Sequence, residues 1–147
     1  MPALSPSDGA VGLDKCSRGR QFGEEAMGTT PIEPRALTER EIGVVTRLLS
    51  AGAAGSADYL AQIPSARIIA TWGAGSPSVD VVVSAASATA SGVTDGIFAS
   101  GGVTDRAGAP IGEVMLWVEH GRLSAIEYAW YTDARPTSLP DPAQIEV

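Results

Sequence analysis

The run from Ile111 to Tyr131, IGEVMLWVEHGRLSAIEYAWY, limits the possible folds more than any other part of the chain, because it reads as two apolar strands reversing at His120-Gly121. A two-residue hairpin loop needs positive φ at both central positions. Glycine supplies the second, and histidine is among the side chains that tolerate the left-handed region at the first. Closing the turn with Glu119 opposite Arg122 and continuing without interruption sets Val118 against Leu123, Trp117 against Ser124, Met115 against Ile126, Val114 against Glu127 and Glu113 against Tyr128. Side-chain alternation then gives one face Val114, Leu116, Val118, Leu123 and Ala125. The other face receives Ile111, Met115, Trp117, Ile126, Tyr128 and Trp130. A half-solvated hairpin would be polar on one side; this one is apolar on both, so the strands are expected at the centre of a sheet covered on each face.

Upstream, helix signals begin at Leu37. Thr38 and Glu41 make an S/T-x-x-E capping box flanked by the staple pair Leu37 and Ile42, and Ile42, Val45, Leu48 and Leu49 follow at helical spacing up to a stop at Gly52. Ser56 is a candidate N-cap for a second, short helix carrying Tyr59, Leu60 and Ile63 and closed by Pro64. Residues 67–72 and 79–83 are rich in β-branched side chains around a Gly/Ser/Pro loop, which predicts a hairpin, and 84–92 reads as a surface loop. A strand is expected over 96–104, with Gly101-Gly102 marking a bulge, and Asp105 to Gly108 forms the turn into the final hairpin. The predicted architecture is α+β: two N-terminal helices packed on one face of a five-stranded, mainly antiparallel meander.

Residues 1–36 mix Pro, Gly, Ser, Asp and Arg without either apolar period and predict a disordered tail, with Met27 a candidate alternative start. Residues 37–131 form the single expected domain. Residues 132–147 contain three prolines and predict an extended strap over the surface.

The formal charge of −7 and the lack of a basic patch disfavour nucleic acid as a partner. No window offers the roughly 20 apolar residues of a membrane helix, and a lone Cys16 points to a reducing, cytoplasmic setting. His120 is the single histidine, with no Cys or His at ligand spacing, so neither a metal site nor a His-based catalytic triad is expected. Gly73-Ala74-Gly75 lacks the third glycine and following helix of a phosphate loop, and no cofactor is expected.

From the capped helix through the Gly-rich loop to GEVMLWVEHGRLSAIEYAWYTDARPTSLPDP, the chain resembles a group of short, uncharacterised actinobacterial proteins, mycobacterial ones among them. The likeness spans roughly 37–142 and is most specific over 112–142. Members of that group tend to carry a cysteine-rich first hairpin loop, whereas this chain has Trp72-Gly73-Ala74-Gly75-Ser76-Pro77 there. The resemblance implies an order of elements and a bacterial source, and no activity.

The candidate site residues are Trp72, Asp80, Glu113, Trp117, Tyr128 and Trp130, as binding rather than catalytic groups. Large aromatics on a sheet face are usually core, but two short helices cover only one face, and a protein partner or a second copy would cover the other. Asp80 and Glu127, set in apolar strands, are expected either to pair with Arg67 or Arg47 or to reach water. The function expected first is therefore a non-catalytic cytoplasmic protein-binding module, of inhibitor or immunity type, with an acidic rim suited to a basic partner. The rival is a small enzyme or ligand binder using Glu113, Tyr128 and Asp80 in a sheet-face pocket.

Overall fold

The computed structural model describes residues 29–147. The expectations for residues 1–28, including Met27 as a start and Cys16, lie outside the described residues.

The hairpin turn forms as the sequence requires: His120 has φ 53° and Gly121 φ 73°, the pair of positive values that a two-residue loop needs. It joins β5 (Pro110–Glu119) to β6 (Arg122–Trp130) at the middle of the sheet. The other elements are β1 (Thr30–Ala36), α1 (Glu39–Leu49), α2 (Ser56–Gln62), β2 (Ala66–Thr71), β3 (Val79–Val83), β4 (Gly96–Thr104) and β7 (Ile145–Glu146). The fold is α+β, two helices on a large antiparallel sheet. The sheet has seven strands rather than five, in the order β1-β2-β3-β6-β5-β4-β7, so it is two antiparallel ribbons joined between β3 and β6 rather than one meander.

Both added strands lie in segments whose prolines read as tail and strap. Pro31 and Pro34 are in β1, and Pro142 opens a single 3-10 turn before β7. Proline is excluded from central strands but tolerated where one side of the ladder is open, and β1 and β7 are the two edges. Because β1 precedes α1, the helices do not open the described fold.

The capping box at α1 is complete: the Glu41 amide donates to Thr38 Oγ1 at 3.1 Å, and the Thr38 amide donates to Glu41 Oε1 at 2.8 Å. Val44, Val45, Leu48 and Leu49 are the buried stripe, with Ile42 turned outward. In α2, Tyr59 and Gln62 are buried and Leu60 is exposed. Ser56 is the first helical residue rather than the cap; Gly55, at φ 97°, holds the cap position. The segment 84–92 is more than surface loop, because Ala90 is buried and its amide donates to the Gly121 carbonyl. The bulge in β4 falls at Phe98, and a second irregularity leaves Ile111 of β5 as the extra residue opposite Val103 and Thr104; neither is at Gly101-Gly102. Gly101 is required for a different reason: a Cβ there would lie 2.6 Å from Ile145 Cγ2 and 2.8 Å from the Glu146 carbonyl.

The decisive departure is a bulge in β6. Val118 pairs with Leu123, but Trp117 pairs with Ala125, leaving Ser124 as an extra residue. One extra residue moves everything after it to the opposite face. Leu116 now meets Ile126, Met115 meets Glu127, Val114 meets Tyr128 and Glu113 meets Ala129. The uninterrupted register would have put the Glu127 carboxylate among Val114 and Leu116 and turned Ile126 outward. The bulged register buries Ile126 completely and removes the charge from the aliphatic core, which decides between the two.

Candidate functional site

The face of the sheet away from the helices is where most of the chemistry-bearing side chains gather. On the helix face, Val44, Val45, Leu48, Leu49 and Tyr59 meet Ile68, Val79, Val81, Val103, Val114, Leu116, Val118, Leu123 and Ile126. The alternate positions form three cross-strand rows on the other face. Asp80, Ala125, Trp117 and Ile97 make one row across β3, β6, β5 and β4. Glu127, Met115 and Ser100 make the second, and Ala129, Glu113, Gly102 and Glu146 the third.

Two indole–carboxylate hydrogen bonds organise this face. Trp72 Nε1 donates to Asp80 Oδ1 at 2.9 Å, and Trp117 Nε1 donates to Glu127 Oε1 at 2.9 Å. None of these four side chains is limited to that one bond. Trp117 is 7% exposed and Glu127 9%, so this pair sits deep, while Trp72 and Asp80 are half-buried. Asp80 faces Ala125 and Glu127 is two residues further along β6, a diagonal relation worth roughly 7–8 Å between backbones. Around the pairs, Val82 is 45% exposed between buried Val81 and Val83, and Ile97 is 51% exposed opposite Trp117, while Ile69, 36% exposed, is the extra residue of a bulge in β2 between Ile68 and Ala70.

Four of the six residues expected from the sequence therefore share this face: Trp72, Asp80, Glu113 and Trp117. Tyr128 and Trp130 do not. The β6 bulge turns Tyr128 into the core, where it is 6% exposed and opposite Val114, and Trp130 packs against the same core above Gly112. The expected Trp117/Trp130 surface is thus divided between the two sides of the sheet. Glu113 and Tyr128 likewise lie on opposite faces, so the pocket imagined from Glu113, Tyr128 and Asp80 does not assemble. Burial raises the Tyr128 phenol above its usual range. Arg47 and Arg67, expected as partners for Asp80 and Glu127, donate to the carbonyls of Ile145 and of Pro64 and Ala66 respectively.

The residue missed as structurally important is Gln62. Its side chain, 1% exposed, donates to the Ala88 and Gly121 carbonyls and accepts from the Leu123 amide at 3.0 Å. It supplies the acceptor for the amide beside the bulge, at a point of β6 that β3 does not reach. No signal local to the hairpin could reveal it, since the contact spans 61 residues.

His120 serves the turn: its amide donates to Asp95 Oδ1 at 2.8 Å, and its ring is largely exposed 3.9 Å from Asp95 Oδ2. Among the described residues no three His, Cys, Asp or Glu side chains gather as metal ligands would, and no helix is long and apolar enough to cross a membrane. A cleft of about 210 Å³ lies elsewhere, at the start of α1, lined by Arg35, Arg40, Glu41, Thr71, Ser76 and Ser138 among others. The Arg35–Glu41 ion pair at 2.9 Å occupies one wall, and none of the six candidates reaches it.

The arrangement thus defines an α+β protein whose antiparallel sheet carries helices on one side and an acidic, tryptophan-anchored surface on the other. No protein family, curated protein or solved structure matches the chain.

Proposed function

We propose that the protein is a non-catalytic, cytoplasmic protein-binding module that uses the sheet face away from its helices. The observation that carries this reading is the combination on one face of exposed Val82 and Ile97 with the carboxylates Asp80, Glu113 and Glu146. Exposed aliphatic side chains supply contact area, and the acids supply orientation and a faster encounter with a basic partner. Trp72 stiffens the face by tying Asp80 down, and Trp117 does so from beneath through buried Glu127. The partner that fits is a polypeptide segment alternating basic and apolar side chains, which also agrees with the formal charge of −7. The reading suits an inhibitor or immunity-type role. The likeness to short actinobacterial proteins adds an order of elements and leaves the activity to experiment.

A labelled peptide of alternating arginine and leucine tests the reading by fluorescence anisotropy. It is expected to bind the wild-type chain, to weaken as salt rises, and to lose at least tenfold in affinity against V82K. Equal affinity for V82K, or equal binding of the peptide with glutamate in place of arginine, would overturn the proposal.

A further inference from the structure

The cleft at the start of α1 takes no part in the helix-free face, and its walls come from four separate stretches of chain. β1 contributes Arg35, the first turn of α1 Arg40 and Glu41, the loop after β2 Ser76, and the strap Ser138 and Leu139. Pro77, Val79 and Leu139 are buried and give it an apolar floor. Its 210 Å³ is the liquid volume of about seven waters, so the molecule it fits is small.

The hydrogen-bonding capacity left in the cleft is almost all on the donor side. Among the described residues Glu41 is the one carboxylate that lines it, and both its oxygens are taken. Oε1 accepts from the Thr38 amide at 2.8 Å and from Arg35 Nη1 at 2.9 Å, and Oε2 accepts from Arg35 Nη2 at 3.0 Å. That fork also cancels the charge of Arg35. Glu39, the other acid of the first turn, does not line the cleft. Arg40 is placed differently. Its guanidinium donates from Nη1 to the Leu139 carbonyl at 3.2 Å and has no acid partner among the described residues. Next to Leu139 in the strap, the Thr137 and Ser138 hydroxyls line the cleft and make no hydrogen bond to the rest of the described residues.

We propose that the cleft binds a small monocarboxylate with a short apolar body, its carboxylate on Arg40 and the strap hydroxyls and its body against Pro77, Val79 and Leu139. One uncancelled cation matches one negative charge, and the planar fork of a guanidinium matches the geometry of a carboxylate. A phosphate dianion would bring a second charge, without a partner, into a partly apolar cleft. A cation would find the Glu41 carboxylate already spent on Arg35. Because Arg40 and Ser138 reach the ligand from α1 and from the strap, an occupied cleft also fastens the strap to the helix. The site is separate from the sheet face and does not rest on what that face binds.

Isobutyrate is the probe, followed through the amide NMR shifts of the full chain. It is expected to shift the amides around Arg40, Ser76 and Ser138 saturably. Inorganic phosphate should bind at least tenfold more weakly, and isobutanol, which has the same body without the charge, should give no saturable shift. R40Q removes the cation but also disturbs its bond to the strap. S138D, at an exposed position, leaves Arg40 and that bond in place and sets a competing negative charge at the rim. Both variants are expected to bind isobutyrate at least tenfold more weakly, S138D with unchanged shifts outside the cleft. A wild type without saturable shifts, phosphate or isobutanol binding as tightly as isobutyrate, or S138D binding as well as the wild type would overturn the proposal.

Discussion

Two indole N–H groups and two carboxylates account for how acids come to lie within an apolar sheet. A carboxylate this far from water needs donors, and a tryptophan supplies one while contributing the rest of its ring to packing. Trp117→Phe keeps most of the ring volume and removes the donor to Glu127. It is expected to destabilise the protein by about 1–3 kcal/mol, the cost of leaving a buried acceptor short of a partner, as read from the urea midpoint. In the background of Glu127→Gln the same substitution should cost less, and equal costs in both backgrounds would show that the hydrogen bond contributes nothing. Gln62 poses the same question more sharply. Gln62→Leu removes the acceptor of the Leu123 amide, while the Gly121 carbonyl keeps the Ala90 amide as donor, for an expected loss of about 1–3 kcal/mol from one buried unsatisfied group.

At the scale of elements, the parts legible in the sequence were those specified within a few residues. The capping box at Thr38, the turn at His120-Gly121, the Asp105 to Gly108 turn and the β2–β3 hairpin all form where local chemistry places them. The bulge at Ser124 was not legible, because it depends on a glutamine on α2 and on where the whole core lies. That single residue then decided the site: Trp72, Asp80, Glu113 and Trp117 kept their expected face, while Tyr128 and Trp130 moved to the other. The edge strands escaped for the opposite reason, since their prolines are a sound signal against a central strand and say nothing against an edge. Deleting Ser124 tests the account. Without the extra residue the hairpin can close as a regular ladder that keeps Val118 opposite Leu123 and Leu116 opposite Ile126, with Ile126 still in the core and Glu127 still out of it. The expected outcome is a chain that keeps its near-UV circular dichroism and unfolds cooperatively, whereas deleting Ala125 instead, which leaves Ser124 to be paired or bulged in its place, is the control for loop length alone. Loss of the near-UV signal on deleting Ser124 would show that the bulge itself, and not the register it sets, is what the core requires.

Over the whole molecule, the groups with resolved shifts set an alkaline limit to stability. Tyr59 and Tyr128, on α2 and β6, both have phenols raised above the ordinary value near 10, chiefly through burial and for Tyr59 also through Asp95 and Asp58. Below pH 10 both are protonated whether the chain is folded or not, and they add no pH dependence. As pH rises past 10 the unfolded chain releases these protons first, so it binds fewer than the native state and unfolding becomes easier; stability is lost from about pH 10 upward. Urea midpoints across pH 8 to 11 should be flat at first and then fall, and Tyr128→Phe should shallow the fall. Tyr59→Phe carries a second consequence. The Tyr59 hydroxyl is buried and has no hydrogen-bond partner among the described residues, so removing it should leave stability at pH 8 unchanged or raise it by up to about 1 kcal/mol while also flattening the alkaline limb. A Tyr59→Phe chain that is clearly less stable at pH 8 would mean that the hydroxyl is satisfied in solution, and that the junction of α2 with β4, where Tyr59 meets Phe98, is wetter than its packing implies.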